Sequence, residues 1–125
     1  MNSILVVDDD KNTIEALRRS LERLKYKVFT AFNGHAAIEQ YKALRPDLVI
    51  MDIVMPEKEG IETINVIKQV DENAKIIAIS GGGCFGSDNY LDTAMKLGAM
   101  DCLSKPFNLQ DLSAKIAEAL AQGKQ

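Results

Sequence analysis

The sequence predicts an α/β fold: a five-stranded parallel sheet between two layers of helices, a three-layer sandwich. Two observations carry this. Short apolar runs alternate with longer amphipathic segments, and three of the runs are almost continuous Val, Ile and Leu, which suits strands buried on both faces. The runs also number five, too few to close an eight-stranded barrel. The sheet is therefore open, with right-handed connections. In such sheets ligands bind outside the carboxyl ends of the strands.

The elements follow in order. ILVV (4–7) reads as the first strand, and Ile14, Leu17, Leu21 and Leu24 recur at helical spacing through 11–25. VFTAF (28–32) is the second strand, followed by a helix over 34–44 with a less regular apolar pattern. LVIM (48–51) leads to a helix over 60–70, marked by Ile61, Ile64, Ile67 and Val70. IIAI (76–79) is followed by SGGGCFG (80–86) and a helix over 88–97, with Gly98 as its stop. MDCL (100–103) is the fifth strand. The last helix, over 108–122, has Asn108 as its N-cap, Asp111 in its first turn, and Leu109, Leu112, Ile116 and Leu120 on one face.

Composition narrows the function. At 125 residues the chain is expected to form one domain, 1–125. A net charge of −3 and aromatics not interleaved with basic residues argue against a nucleic-acid surface. Cys84 and Cys102 form no CxxC pair, so neither zinc nor redox chemistry is indicated and a reduced chain is expected. The N-terminus lacks the basic region of a signal peptide, and no run is long enough to span a bilayer. A cytoplasmic location without membrane contact is the expectation.

The carboxyl ends of the strands hold Asp8-Asp9-Asp10, Asp52, Ser80 and Lys105-Pro106. Each has an ordinary alternative: Asp10 a helix cap, Asp52 a turn residue, Ser80 local hydrogen bonding, Lys105 a solvated cation. Together they occupy the same end of four different strands. Carboxylates gathered in one crevice repel by several kcal/mol, about 4 at 4 Å and an effective dielectric near 20, or recruit a cation. Oxygen ligands without Cys or His favour a hard ion, and Mg²⁺ fits because it keeps waters that a phosphate can replace. Acid, Mg²⁺, lysine and hydroxyl together suit phosphoryl transfer.

On these residues the chain resembles the receiver domain of bacterial two-component response regulators. The matching pieces are ILVVDDD (4–10), PDLVIMDIVMPEKEG (46–60), IIAIS (76–80) and LGAMDCLSKPF (97–107), and D-x-x-M-P-x-x-x-G is met by Asp52, Met55, Pro56 and Gly60. The resemblance implies the flavodoxin-like strand order 2-1-3-4-5. It implies that Asp52 accepts a phosphoryl group from the phosphohistidine of a sensor histidine kinase or phosphotransfer protein. Asp9 would bind Mg²⁺ (or Mn²⁺) directly and Asp8 through water, with Asp52 and the Val54 carbonyl completing the ligands. Lys105 would pair with the phosphoryl oxygens, Ser80 would hydrogen-bond them after transfer, and the Lys105–Pro106 peptide would be cis. A downstream protein target or an output domain would read the state. Such a protein catalyses its own phosphorylation but is primarily a signalling switch.

The departures are informative. Cys102 stands where the family places a switching aromatic, so a small core residue is expected there. Val54 and Gly82 offer no polar group to position water, so slow autodephosphorylation is expected. The loop 81–87, the helix over 88–97 and the fifth strand would carry the signal, on a face including Tyr90, Leu91, Met95, Met100 and Cys102, whose apolar members could equally be core. His35 is assigned no relay role. Other readings fit less well. A dehalogenase-type phosphatase needs Thr or Val where Asn12 stands, a P-loop would need a lysine after the glycines, and a flavin domain would not put acids after its first strand. The remaining alternative is a pseudo-receiver that binds partners without phosphorylation.

Overall fold

The computed structural model describes residues 2–53, 59–80, 95, 98–104 and 107–122. The expected loop 81–87, the helix over 88–97 apart from Met95, and the residues Val54, Cys84, Tyr90, Leu91, Lys105 and Pro106 lie outside them. Along the chain come β1 (Ser3–Val7), α1 (Lys11–Arg23), β2 (Lys27–Ala31), α2 (Gly34–Leu44), β3 (Leu48–Asp52), α3 (Glu59–Val70), β4 (Ile76–Ser80), β5 (Asp101–Ser104) and α4 (Leu109–Ala121). The five strands form one parallel sheet in the order β2-β1-β3-β4-β5. This is the flavodoxin-like order expected, and four helices are seen among the described residues.

Alternation along the strands builds two cores. Ile4, Val6, Leu48, Ile50, Ile77 and Ile79 point to the face covered by Ile14, Leu17 and Leu21 of α1 and Leu112 and Ile116 of α4. Leu5, Val7, Val49, Met51, Ile76 and Ala78 point to the other face, with Ala37 and Tyr41 of α2 and Ile64 and Ile67 of α3. Both faces are covered, which is why the central strands tolerate no polar alternation.

The caps are formed by side chains. Asp10 precedes α1, Asn33 accepts the Ala36 N–H, and Asn108 accepts the Asp111 N–H at 2.7 Å. Asn33→Ala will cost about 1 kcal/mol, the usual value of a lost cap; urea unfolding measures it.

Several boundaries differ from the sequence reading. Helix α1 stops at Arg23 rather than residue 25, because Lys25 takes a left-handed backbone, φ 74°, and Leu24 is exposed. Strand β2 starts at Lys27, which pairs with Ser3, and ends before Phe32, a 43% exposed ring beneath the Lys11 ammonium. Strands β3 and β4 do end at Asp52 and Ser80, while β5 runs one residue later than expected. Gly98 does take a left-handed φ of 124°, and its N–H donates to the Met95 carbonyl. Cys102 is half-buried against the α2–α3 core, and Met100 packs on the other core.

At the amino end of the sheet, the Tyr41 hydroxyl donates to Asp71 at 2.9 Å, and Arg45 lies 3.4 Å from the same carboxylate oxygen. The Asn73 N–H, then the Tyr41 hydroxyl, hold the Asp71 carboxyl below its usual range. Burial, then the Asp71 carboxylate, push the Tyr41 hydroxyl above its own. A depressed carboxyl pKa adds stability above the unfolded value of about 3.9, and that increment is lost as pH falls through the folded-state value. The stability gap between the parent and Asp71→Asn will therefore narrow on acidification below about pH 4, as thermal unfolding at a series of pH values will show. A raised tyrosine pKa acts at the other end: its contribution is complete below the unfolded value of about 10 and is lost above it.

Candidate functional site

Register brings the acids together. Val7 at the end of β1 is the partner of Met51 in β3, so the next residues, Asp8 and Asp52, emerge side by side. Ligand oxygens of Asp8, Asp9 and Asp52 all lie within 4.8 Å of one another. Asp8 and Asp52 are 3% and 6% exposed, whereas Asp9 faces solvent, so the cluster is a recess open on one side.

The surrounding backbone holds this recess in shape. The Asp8 N–H donates to the Ala31 carbonyl of β2, and the Asp10 N–H donates to Asp8 Oδ1 at 2.9 Å. The Ile53 N–H donates to Ile79 of β4, which fixes the exit of the chain from β3. Gly60, on the first turn of α3, lies against that exit. A Cβ there would sit 2.5 Å from Ile53 Cα and 2.7 Å from the Asp52 carbonyl oxygen. Glycine is thus required by the closeness of α3 to the residue that bears the carboxylate. The sequence pattern named Gly60; the physical reason for it lies in the backbone path.

Ser80, 2% exposed, ends β4 beside β3, and its register partner is Ser104, the residue preceding Lys105. Val54 and Lys105, the other two expected site residues, lie outside the described residues. His35 is exposed on the first turn of α2 and contributes no atom to the cluster.

The cluster's donor set is chemically selective. All three donors are carboxylates, and one side is open to solvent. A hard divalent ion that retains several waters fits this set, whereas a soft ion would call for sulfur or imidazole.

The family model of the response regulator receiver domain matches residues 4–117. The chain belongs to the response regulator receiver domain family. This receiver is 40% identical over 118 residues to the chemotaxis protein CheY of Thermotoga maritima, a match spanning 94% of this chain and 92% of that one. Among solved structures it is similar to a CheY-like receiver domain protein from Methanospirillum hungatei, with a TM-score of 0.88 at 27% identity, covering 97% of this chain and 94% of that one. It is also similar to the response regulator TrrA from Thermotoga maritima, solved in complex with Mg²⁺-BeF, with a TM-score of 0.82 at 34% identity, covering 95% and 99%. Phosphorylation switching is the function of the family, and its receivers bind Mg²⁺ at an acidic pocket. They interact with kinases and with downstream targets or output domains. Among the described residues, no helix of this receiver is long and apolar enough to cross a membrane.

Two features of the site escaped the sequence reading. One is the bond from the Asp10 N–H to Asp8, hidden because the sequence offers Asp10 as a helix cap and does not show where its N–H points. The other is the exposure of Phe32 just after β2, which its apolar character had assigned to the strand.

Proposed function

We propose that this receiver accepts a phosphoryl group on Asp52 from the phosphohistidine of a sensor histidine kinase or a phosphotransfer protein, in a Mg²⁺-dependent reaction in the cytoplasm. The convergence of the Asp8, Asp9 and Asp52 carboxylates is the observation that carries this reading. Asp9, the exposed acid, and Asp52 would hold the ion directly, with the Val54 carbonyl, and Asp8 would act through a bound water. When bound, the ion supplies positive charge against the oxygens of the transferring phosphoryl group.

In the transfer, an Asp52 oxygen attacks phosphorus in line with the donor. The phosphorus–nitrogen bond breaks, its electron pair returns to the donor imidazole, and an acyl phosphate remains on Asp52. The side chains of Val54 and Gly82 bring no polar group to activate a water against that acyl phosphate. Slow self-hydrolysis follows. Ser80 at the end of the neighbouring strand would donate its hydroxyl to a phosphoryl oxygen, and Lys105 would pair with another. The pull on Ser80 would be felt by the loop 81–87, the helix expected over 88–97 and β5, altering the face that a target or output domain reads.

A small acyl phosphate with Mg²⁺, followed by intact-mass measurement, tests this. The parent will gain one phosphoryl group, dependent on Mg²⁺, and Asp52→Asn will gain none. A parent without any gain, from this donor or from a competent kinase, would mark the protein as a phosphorylation-independent binding module.

A further inference from the structure

Asp10 is the one acid of the DDD run that stays out of the carboxylate cluster. Its side chain is engaged elsewhere. Oδ1 accepts the Asn12 N–H at 2.9 Å, and Oδ2 accepts the Thr13 hydroxyl at 2.9 Å. Its backbone is extended, φ −92° and ψ 110°, and its carbonyl accepts the Ile14 N–H, so Asp10 is the N-cap of α1. With its side chain and carbonyl tied to the helix, the peptide N–H of Asp10 faces back toward β1. There it donates to Asp8 Oδ1 at 2.9 Å. Asp8 is held from its other side as well, since its own N–H donates to the Ala31 carbonyl. Asp9, the exposed acid of the cluster, lies between these two anchored residues.

We propose that Asp10 is a positioning residue for the cation. As the cap of α1 it aims its N–H at Asp8 Oδ1, which orients the Asp8 carboxylate and fixes the backbone that presents Asp9. The proposal rests on the reading of the site given above. Asp10 acts through its acceptor oxygens, not through its charge. The two are separable by substitution, because Asn and Ser cap helices about as well as Asp while carrying no charge. Groups that orient metal ligands without touching the metal commonly change affinity by 10–100-fold, so the expected effect is measurable.

The test compares Asp10→Ala, Asp10→Ser and Asp10→Asn with the parent in two measurements. Calorimetric titration with Mg²⁺ gives affinity. Amide hydrogen exchange in the metal-free proteins gives the state of the Asp10 and Asn12 N–H groups, and thermal unfolding confirms that each variant is folded. Asp10→Ala will bind Mg²⁺ about tenfold more weakly, with faster exchange at both amides. Asp10→Ser and Asp10→Asn will stay within about threefold of the parent, with exchange restored. An Asp10→Ala that binds as the parent does overturns the proposal. So does an Asp10→Asn that falls as far as Asp10→Ala, since charge would then be the cause. A parent that takes up no Mg²⁺ overturns the reading of the site itself, a result distinct from a parent that binds alongside an equally competent Asp10→Ala.

Discussion

Asp52→Asn will be more stable than the parent in the presence of a chelator and less stable than it in saturating Mg²⁺, while accepting no phosphoryl group. The reversal follows from the spacing of the acids. At the 4.8 Å limit of the cluster, a pair of carboxylates repels by about 3.5 kcal/mol at an effective dielectric near 20. Solvent around the exposed Asp9 and the other contacts of Asp8 and Asp52 reduce this, so a net gain of about 1–2 kcal/mol is expected when one charge is removed. The cation reverses the order. A ligand at a hundred times its dissociation constant stabilises the folded state by about 2.7 kcal/mol, and the variant, with one carboxylate fewer, takes up less of it. Urea unfolding with chelator and with Mg²⁺ measures both arms. An Asp52→Asn that is the less stable protein in chelator would show that the repulsion is already neutralised within the fold.

Gly60→Ala will destabilise the protein by about 1–3 kcal/mol, the cost of forcing an extra carbon into a packed site. Helix propensity alone predicts the opposite sign, a gain of about 0.5–1 kcal/mol for replacing a helical glycine. The contact geometry decides between them. The new Cβ would meet Ile53 Cα at 2.5 Å and the Asp52 carbonyl oxygen at 2.7 Å, and both are backbone atoms that cannot swing away. Either α3 lifts from the sheet or the end of β3 moves, and the second displaces the Asp52 carboxylate from Asp8 and Asp9. Loss of stability will therefore come with weaker Mg²⁺ binding. An Ala variant stabilised as helix propensity demands would refute the contact.

How much was legible in the sequence depended on what each residue was asked to reveal. The central strands were plain, because β1, β3 and β4 are covered on both faces and the runs Ile4–Val7, Leu48–Met51 and Ile76–Ile79 within them are apolar throughout. Two of their ends were plain too. Asp52 and Ser80 close their strands by hydrogen bonding, one residue beyond the apolar runs, where the sequence placed the strand ends. Phe32 was misread, an apolar residue that the fold leaves outside. Leu24 continues the apolar spacing of α1, but the turn at Lys25 follows directly and leaves it exposed. For the site, the rule that ligands collect at the carboxyl ends of an open sheet placed Asp8, Asp9 and Asp52 together, and their ligand atoms do cluster. The fit of Gly60 under β3 and the turn of the Asp10 N–H toward Asp8 depend on the path of the backbone in three dimensions. No spacing of residue types encodes them.

The order of the elements along the chain also sets the order in which the charges of the site are synthesised. All three clustered acids precede Ser80 and β5 along the chain, at the ends of strands adjacent in the sheet. Ser80, β5 and the lysine beyond it are translated afterwards. Domains generally fold as units, and the N-terminal part is the first to be made. A nascent chain that joined β1 to β3 early would gather its negative charge before the later strands or Lys105 could answer it. Cellular Mg²⁺ is present throughout translation, and can serve the half-made protein as a counter-ion to these carboxylates.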